Sequence, residues 1–303
     1  MESQPLTARE NYKIEKIFGR EVLDSRGNPT VQADVYTRRG FGRFTVPSGA
    51  SKGRFEAREL RDLNHTRYGG LGVQTAIRNI TEVIGPVVKE FMAHEQEKID
   101  RVMIDLDGTE MKEHLGANAI LAVSVAVARA AADTGKLPFY QHVNSTWGKG
   151  RPLVLPVPMM NIINGGKHAG NDLAFQEFMI LPVGLKTFTQ ALAAGSEIYH
   201  TLGKMLGRKY GKSATNVGDE GGYAPSVKTI REALDSVEVA IRESGYASGR
   251  EVVIGIDPAS GSFYDYKSQT YSVDGEKLSV EKLGEFYNDL VRTYPLRSIE
   301  DPF

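Results

Sequence analysis

The segment Asn161-Ile-Ile-Asn-Gly-Gly-Lys-His-Ala-Gly-Asn-Asp-Leu-Ala-Phe-Gln-Glu-Phe-Met-Ile180 decides the fold of this chain. It continues an apolar run that begins at Leu153, breaks at Gly165-Gly166, and returns as a second apolar run that contains Gln176 and Glu177. This pattern predicts a strand, a polar loop and a second strand. Because a lone buried carboxylate loses its hydration, a glutamate between two phenylalanines needs a cation or hydrogen-bonding partners. We therefore predict that Glu177 is a functional residue.

Structural roles are the alternative for the polar residues of this segment. Glu177 could face solvent on an alternating strand, and His168 could cap the loop, as lone acidic and histidine residues often do. The whole segment, however, resembles the enolase family, whose chains carry an N-G-G-x-H-A-G-N turn followed by Q-E-F at this spacing. The resemblance implies that His168 and Gln176 line the substrate and that Glu177 supports catalysis.

The composition of the 303 residues is that of a globular protein, with 41% hydrophobic and 25% charged residues. With 37 basic and 38 acidic residues, the net charge of -1 gives no electrostatic case for binding nucleic acid or a membrane surface. The chain has no cysteine, which excludes disulfides and thiolate metal sites. Any metal must therefore bind oxygen or imidazole ligands, and oxygen ligands favour Mg²⁺, Mn²⁺ or Ca²⁺.

Neither a secretory signal nor a membrane span is predicted. The segment from Met1 to Asn11 is polar and carries charged side chains, unlike a signal peptide. The only long apolar segment, Ala117 to Ala132, is shorter than a span requires and suits a buried helix. We expect a cytoplasmic protein.

The N-terminal part of the chain predicts an antiparallel β-meander from Tyr12 to Val46, with turns at Ser25–Pro29 and Arg39-Gly40. Its L-D-S-R-G-N-P-T-V run is a second stretch that resembles an enolase. Helices, and one candidate domain boundary at Val143–Pro152, are predicted after it. The helices are Val73–Met92 with a break near Gly85-Pro86, Ile99–Leu106, and Asn118–Thr134 with Asn118 as its cap.

The loop Pro47–Gly53 follows the meander directly and precedes a charged helix predicted from Arg54 to Asp62. Composition alone favours a plain flexible connection. The enolase resemblance instead implies a loop that closes over the substrate, with Ser48 as a ligand of a second Mg²⁺. The family often has threonine at the position of Lys52 and histidine at that of Phe55, so the other contacts of this loop stay open.

A third matching stretch, Val217–Gly222, places Asp219 and Glu220 between glycines. Such a loop allows close backbone approach and exposes its carboxylates to a cleft, although an ordinary solvated loop has the same composition. The resemblance implies that Glu220 assists departure of the substrate hydroxyl group. The elements predicted around this stretch are helices Phe188–Tyr210, Ser226–Ser244 and Ser279–Tyr294, strands Val252–Asp257 and Leu296–Asp301, a turn Gly211–Asn216 and a hairpin Phe263–Val273.

Two acids, Asp257 and Glu300, come at the ends of two apolar strands that are separated by a helix. A right-handed parallel unit of this kind places both acids at one carboxyl-terminal rim, where an α/β barrel keeps its chemistry. Two oxygen ligands without sulfur indicate Mg²⁺, while a pair of helix-capping acids is the alternative. The I-E-D-P-F run resembles enolase, but Pro258–Phe263 differs from the A-A-S-E-F that the family usually has after this aspartate.

The resemblance implies an α/β fold, with an N-terminal α+β capping and dimerisation domain over residues 1–148 and an enolase-type barrel, opening β-β-α-α, over residues 149–303. It implies a phosphopyruvate hydratase, a hydro-lyase that reversibly dehydrates 2-phosphoglycerate to phosphoenolpyruvate in glycolysis. Two Mg²⁺ ions per site would be held by Asp257, Glu300 and Ser48. It also implies a homodimer or larger homo-oligomer.

The resemblance covers essentially the whole chain but only about the first two thirds of the family's length. Enolases continue past the position of Phe303 with about four more barrel units. These supply a third metal-binding aspartate, the lysine that removes the C2 proton, a phosphate-binding segment and a second lysine. We therefore expect an enolase truncated at about its fourth barrel strand, with an exposed strand edge and little turnover by itself. A fragment is favoured over a barrel that a partner chain completes.

Two other functions stay open. Another enzyme of the same superfamily would share Asp257 and Glu300 but act on a different carboxylate substrate. The resemblance disfavours it, because the Ser48 loop, the His168 turn and Asp219–Gly222 are together specific to enolases. A non-catalytic interaction protein, such as a surface receptor or a scaffold of an RNA-processing complex, is the alternative from a different class.

Overall fold

The structure is a computed structural model that describes residues 8–49, 53, 55–166, 169–218 and 220–303. The chain divides into two compact units, Met1–Leu153 and Val154–Phe303. Each unit has its own cluster of buried apolar side chains. The predicted fold class is confirmed, because an α+β unit precedes a unit with a partial, mixed sheet. The predicted domains, residues 1–148 and 149–303, stay a prediction.

The first unit packs a three-stranded antiparallel sheet, in the order β1-β2-β3, against helices. The predicted meander is confirmed, and the sheet register runs from Leu23 opposite Pro29 to Ile14 opposite Thr37 on the first two strands. The elements are β1 (Ile14–Leu23), β2 (Pro29–Thr37), β3 (Phe41–Thr45), α1 (Gln74–Arg78), α2 (Gly85–Val88), α3 (Gln96–Asp107), α4 (Ala117–Thr134) and α5 (Phe139–Trp147).

Helix α4 lies against the sheet at very short range. A Cβ atom added to Gly42 on β3 would lie 3.0 Å from Cα of Ala130, and nearer still to Ala130 N and the carbonyl oxygen of Ala126.

Among the described residues, α4 is the one helix that is long and apolar enough to cross a membrane, and 56% of it is buried inside the protein. The sequence prediction of a buried helix fits this position.

The predicted break at Gly85-Pro86 does not occur. Helical backbone continues from α1 through a π-helical turn, Asn79–Ile84, into α2, and ends at Val88 rather than Met92. Proline has no N–H to donate, and its ring crowds the carbonyl group four residues earlier. A wider turn just before Pro86 accommodates both effects without breaking the helix.

The predicted helix from Arg54 to Asp62 is also wrong, since residues 55–62 contain no helix. Their backbone bonds go to distant segments: Arg58 N–H donates to the Met111 carbonyl at 2.7 Å, and Asp62 N–H donates to that of Gly72 at 2.8 Å. Asn118 does not cap α4, whose N-cap is Gly116. Its side chain instead accepts the Leu60 N–H at 3.1 Å. Tertiary hydrogen bonds have overridden the local helical preference.

Asp107 shows how hydrogen bonds stabilise the first unit. It ends α3, is 2% exposed, and accepts the N–H groups of Leu115 at 2.7 Å and Thr109 at 3.0 Å. Burial alone would raise the pKa of this carboxyl, but the Thr109 hydroxyl and the backbone N–H groups outweigh that effect and lower the pKa.

We predict that Asp107→Asn lowers the unfolding free energy at neutral pH by about 1.5–3 kcal/mol, because charged hydrogen bonds are lost. Since the pKa is lowered on folding, the contribution is present above the unfolded pKa and is lost as the pH falls. Denaturant unfolding at pH 7 and in acid should therefore show a smaller pH dependence in the variant. Asp105→Asn, at an exposed position of the same helix, is the control. An unchanged acid dependence in the Asp107 variant would contradict the assignment.

The second unit contains a four-stranded sheet in the order β10-β6-β5-β4 and a small sheet β7-β8-β9. Strand β5 is antiparallel to both neighbours, while β10 is parallel to β6, as predicted for this part of the chain. The described residues form no closed barrel. The elements are β4 (Met160–Asn164), β5 (Glu177–Leu181), α6 (Phe188–Tyr210), α7 (Ile230–Glu243), β6 (Val253–Asp257), β7 (Tyr264–Asp265), β8 (Thr270–Val273), β9 (Glu276–Leu278), α8 (Val280–Thr293) and β10 (Leu296–Ile299).

The strand–loop–strand prediction for the central segment is confirmed, with one correction at its start. The apolar run at residues 153–159 is exposed and lies outside the sheet, so β4 begins only at Met160. Phe175 and Phe178 are fully buried in the core of the second unit, and their rings stack at a centroid distance of 6.4 Å. They fix the segment that carries Glu177.

Candidate active site

Three acids lie at one edge of the four-stranded sheet. Glu177 begins β5 and is the direct register partner of Asp257, which ends β6. Strand β10 runs parallel beside β6, and Glu300 follows its last residue, with the Glu300 N–H donating to the Ile256 carbonyl at 3.0 Å. The structure therefore places Glu177, Asp257 and Glu300 together. The alternation of strands and helices predicted this for Asp257 and Glu300, and the register of β5 adds Glu177.

Glu220 joins this group from the turn between α6 and α7. Asn161 Nδ2 donates to Glu220 Oε2 at 3.2 Å. The turn is fixed to β4 through Tyr223, whose N–H donates to the Ile162 carbonyl at 3.0 Å. The Tyr199 hydroxyl on α6 donates to the carbonyl of the residue after Glu220 at 2.8 Å. Asp219 lies outside the described residues.

Crowding of these acids perturbs their protonation. Burial, a hydrogen bond with Glu220 and the negative charges of Glu220, Asp257 and Glu300 raise the pKa of Glu177 to about 9. Burial also raises the pKa of Asp257 to about 6, against a hydrogen bond from the Ala259 N–H that lowers it. Like charges and low solvation both disfavour the ionised forms. The group requires a proton or a cation to be neutralised.

Magnesium fits this edge only in part. The part of the chain that the structure describes contains no group of three or more histidine, aspartate or glutamate side chains that could hold a metal ion. Mg²⁺ commonly binds one or two carboxylates and completes its shell with water and substrate oxygens. Asp257 and Glu300 offer such a pair, and burial together with the neighbouring negative charges raises the pKa of Asp257, an effect that a cation would offset. The Mg²⁺ assignment stays a prediction.

Ser48, the predicted ligand of a second ion, belongs to the first unit and has both of its oxygens occupied. Its hydroxyl donates to Glu59 Oε1 at 2.9 Å and accepts from Arg61 at 3.0 Å. Arg26 donates to its carbonyl oxygen at 2.8 Å. A metal would compete with Arg61 for the hydroxyl oxygen of Ser48 and with Arg26 for its carbonyl oxygen, so that role remains a prediction. The sequence did not single out Glu59 or Arg61 as its partners.

Gln176 and His168 were predicted to line the substrate. Gln176 is 1% exposed, its N–H donates to the Asp257 carbonyl at 3.1 Å, and its side-chain Nε2 has no hydrogen-bond partner in the described ranges. A buried, unused donor beside the acids suits a polar ligand. His168 lies outside the described residues, so its role stays a prediction.

The sequence missed two polar residues of the site, Asn161 and Asn164. Both stand in an apolar strand, where asparagine is uncommon, and this is the signal that could have found them. Asn164 is fully buried and lies directly opposite Glu177 on β5.

Acids at the carboxyl ends of adjacent parallel strands are the arrangement that α/β-barrel enzymes use for their active sites. Two family models match the chain, "Enolase, N-terminal domain" at residues 14–143 and "Enolase, C-terminal TIM barrel domain" at residues 152–303. The chain therefore belongs to the enolase family, a family of carbon–oxygen lyases.

Curated relatives agree with both domain matches. Enolase of Methanosarcina barkeri is 55% identical over 292 residues, which cover 96% of this chain and 67% of the relative. Enolase of Methanosarcina acetivorans is 54% identical, with 96% and 66% covered. Enolase of Methanocaldococcus jannaschii is 52% identical over 295 residues, with 97% and 68% covered. The chain thus spans about two thirds of the length of these relatives.

Proposed function

We propose that this chain carries part of a Mg²⁺-dependent active site that interconverts 2-phosphoglycerate and phosphoenolpyruvate in the cytoplasm. The observation that supports this most is the pairing of Glu177 with Asp257 across β5 and β6, with Glu300 on the neighbouring strand. Family membership supports the same reaction. No feature of the described residues favours a non-catalytic scaffold.

Dehydration of 2-phosphoglycerate removes a proton from C2 and the hydroxyl from C3. The C2–H electron pair becomes the second bond between C2 and C3, while the C3–O bond breaks and water leaves. Glu220 would protonate the departing oxygen, and Glu177, which forms a hydrogen bond with Glu220, would support it. His168 and Gln176 would line the substrate. No lysine of this chain matches the family's proton-abstracting base.

Removing a proton beside a carboxylate builds a second negative charge on that group, which is inaccessible without cationic stabilisation. Asp257 and Glu300 would hold one Mg²⁺, and Ser48 would contribute to a second through an oxygen atom to which Arg61 or Arg26 donates in this structure. When bound, the metal supplies positive charge to the substrate carboxylate. The oxygen-only donor set of this cysteine-free chain suits that cation.

The activity test uses the 303-residue polypeptide and a chimera in which the last third of the Methanosarcina barkeri enolase follows Phe303. Phosphoenolpyruvate formation from 2-phosphoglycerate is followed by ultraviolet absorbance, with and without chelator. We expect little turnover from the polypeptide and chelator-sensitive turnover from the chimera, lost in Glu220→Gln. A folded chimera that binds Mg²⁺ but is inert would overturn the proposal. Turnover by the polypeptide alone would place a base among these residues.

We predict that Asp257→Asn weakens divalent-cation binding about tenfold or more, because one of the two carboxylate ligands becomes neutral. Mn²⁺ serves as the probe, and its free concentration is measured by electron paramagnetic resonance. Asp265→Asn, at an exposed position of β7, is the matched control and should leave the affinity unchanged. Equal affinities in the two variants would remove Asp257 from the metal site.

The N-terminal unit is proposed to mediate a homodimer or larger homo-oligomer, as the family resemblance implies. Light scattering on the purified chain would measure this directly, and a monomer at all concentrations would contradict it.

A further inference from the structure

An irregularity in β4 places two asparagines on the face of the sheet that carries Glu177. Asn161 lies opposite Met179 and Asn164 lies opposite Glu177, with a register shift between Asn161 and Ile163. In a regular strand, residues three apart point to opposite faces. The inserted residue corrects this offset, so both asparagines share the face of Glu177. Bulges of this kind commonly redirect side chains beside active sites.

Three polar atoms of these two side-chain amides are buried and have no hydrogen-bond partner among the described residues. Asn164 is fully buried, and neither its Oδ1 nor its Nδ2 has a hydrogen-bond partner in the described ranges. Oδ1 of Asn161 is in the same state. In the part of the chain that the structure describes, seven buried side-chain atoms have no partner, and three of them belong to Asn161 and Asn164. Asn118 provides the contrast, since it is 3% exposed and its amide both accepts from and donates to Leu60 at 3.1 Å.

Both amide oxygens face the turn that holds Glu220. A Cβ atom added to Gly222 would lie 3.1 Å from Asn161 Oδ1, and closer still to Asn164 Oδ1. The other end of the Asn161 amide donates to Glu220 Oε2 at 3.2 Å. The glycine therefore lets the turn approach two amides that have donor and acceptor capacity to spare.

We propose that Asn161 and Asn164 form a binding site for internal water beneath Glu220, and that this site positions Glu220 towards the substrate. Buried polar groups are satisfied in folded proteins, and an internal water with about three hydrogen bonds is the usual means when no side chain is in reach. Asn161 acts directly on Glu220, and Asn164 acts through the water. The inference rests on the proposed function for the role of Glu220, but not for the water site itself.

The first test is a crystal structure of the 303-residue chain at a resolution that shows ordered water. It requires neither substrate nor metal, so its outcome is independent of whether the chain or the chimera turns over 2-phosphoglycerate. We expect a water within hydrogen-bond distance of both asparagine amides. A dry site, or amides that bond directly to protein groups, would overturn the proposal.

The second test measures positioning. The carboxyl ¹³C resonance of Glu220 is recorded at fixed pH in glutamate-labelled protein and assigned with Glu220→Gln. Asn164→Leu is expected to shift this resonance and to lower the unfolding midpoint by about 2–4 °C, because an apolar side chain cannot bind the water. Asn161→Ala changes a half-buried position and should shift the Glu220 resonance as well. This variant provides the test of positioning if Asn164→Leu does not fold.

Asn118→Leu is the matched control. It removes a fully bonded buried amide in the first unit, so it should lower the midpoint without moving the Glu220 resonance. A more stable Asn164→Leu would show that the amide binds nothing. If the Glu220 resonance shifts only in the Asn161 variant, a direct hydrogen bond from Asn161 positions Glu220 and Asn164 has no part in it, which would overturn the proposal.

Discussion

Replacing Glu177 by glutamine is expected to raise the unfolding free energy of the metal-free protein by about 2 kcal/mol at neutral pH. Burial and the charges of Glu220, Asp257 and Glu300 raise the pKa of Glu177 to about 9, so folding forces this carboxyl to keep a proton that the unfolded chain releases. Glutamine has nearly the same shape and no proton to lose. The variant should be more stable and, in the chimera, less active.

The pH dependence of this effect has a definite sign. The ordinary pKa of glutamate is 4.5, and the folded value is about 9. Below pH 4.5 both states are protonated, and Glu177 does not oppose folding. Between pH 4.5 and 9 the folded state binds more protons than the unfolded state, so stability is lost as the pH rises. Wild type and variant should therefore be similar near pH 4.5 and diverge towards pH 8.

Denaturant unfolding in chelator, at several pH values, measures the difference. Glu285→Gln, at an exposed position of α8, is the control and should follow the wild type. Mg²⁺ should stabilise the wild type more than the variant, because a cation relieves the same repulsion. A variant that loses stability at pH 7 in chelator would show that the Glu177 carboxylate has a favourable partner instead.

A buried carboxyl that lowers the stability of the folded state is typical of a functional site, where residues are placed for chemistry at a cost in stability. The sequence alone indicated that Glu177 is such a group. A glutamate in the apolar run before Ile180 is costly to bury, so its position there predicts a functional role. It also predicted Asp257 and Glu300 at one edge, because parallel strands joined by a helix align their carboxyl ends. These inferences needed only residue type and order.

What the sequence could not predict depends on contacts between distant segments. Residues 55–62 have charged side chains that suit a helix, yet their backbone bonds to Met111 and Gly72 hold them extended. The bulge that brings Asn161 and Asn164 to one face arises from the pairing of β4 with β5. No local pattern specifies that register shift, so the sequence did not indicate that the two asparagines share one face with Glu177.

The short distance between β3 and α4 in the first unit is another feature that the sequence could not predict. Because of it, a substitution at Gly42 should have a large effect on stability. Gly42→Ala is expected to lower the unfolding free energy by about 3 kcal/mol or more, at the upper end of overpacking costs. The new methyl group would meet the backbone of Ala126 and Ala130 on α4. Backbone atoms in a helix cannot rotate away as a side chain can, so β3 would have to move off the helix.

Denaturant unfolding, with the slope checked for two-state behaviour, measures this change. Gly284→Ala on α8 is the control, because its nearest foreign atom would lie 4.0 Å from the new Cβ. That variant should be neutral or more stable by up to about 1 kcal/mol, since alanine favours helix over glycine. Equal stabilities of Gly42→Ala and the wild type would mean that α4 and β3 can separate without cost.

The close approach at Gly42 also bears on the proposed site, because Ser48 follows β3 after only a short stretch. Val46 N–H donates to the Val31 carbonyl at 2.9 Å, which ties the end of β3 to the sheet. Arg26, after β1, donates to the Ser48 carbonyl. A displaced β3 would therefore move Ser48 relative to Arg26. Glycine on β3 and alanines on α4 thus set the position of the loop whose serine is proposed to serve the second metal.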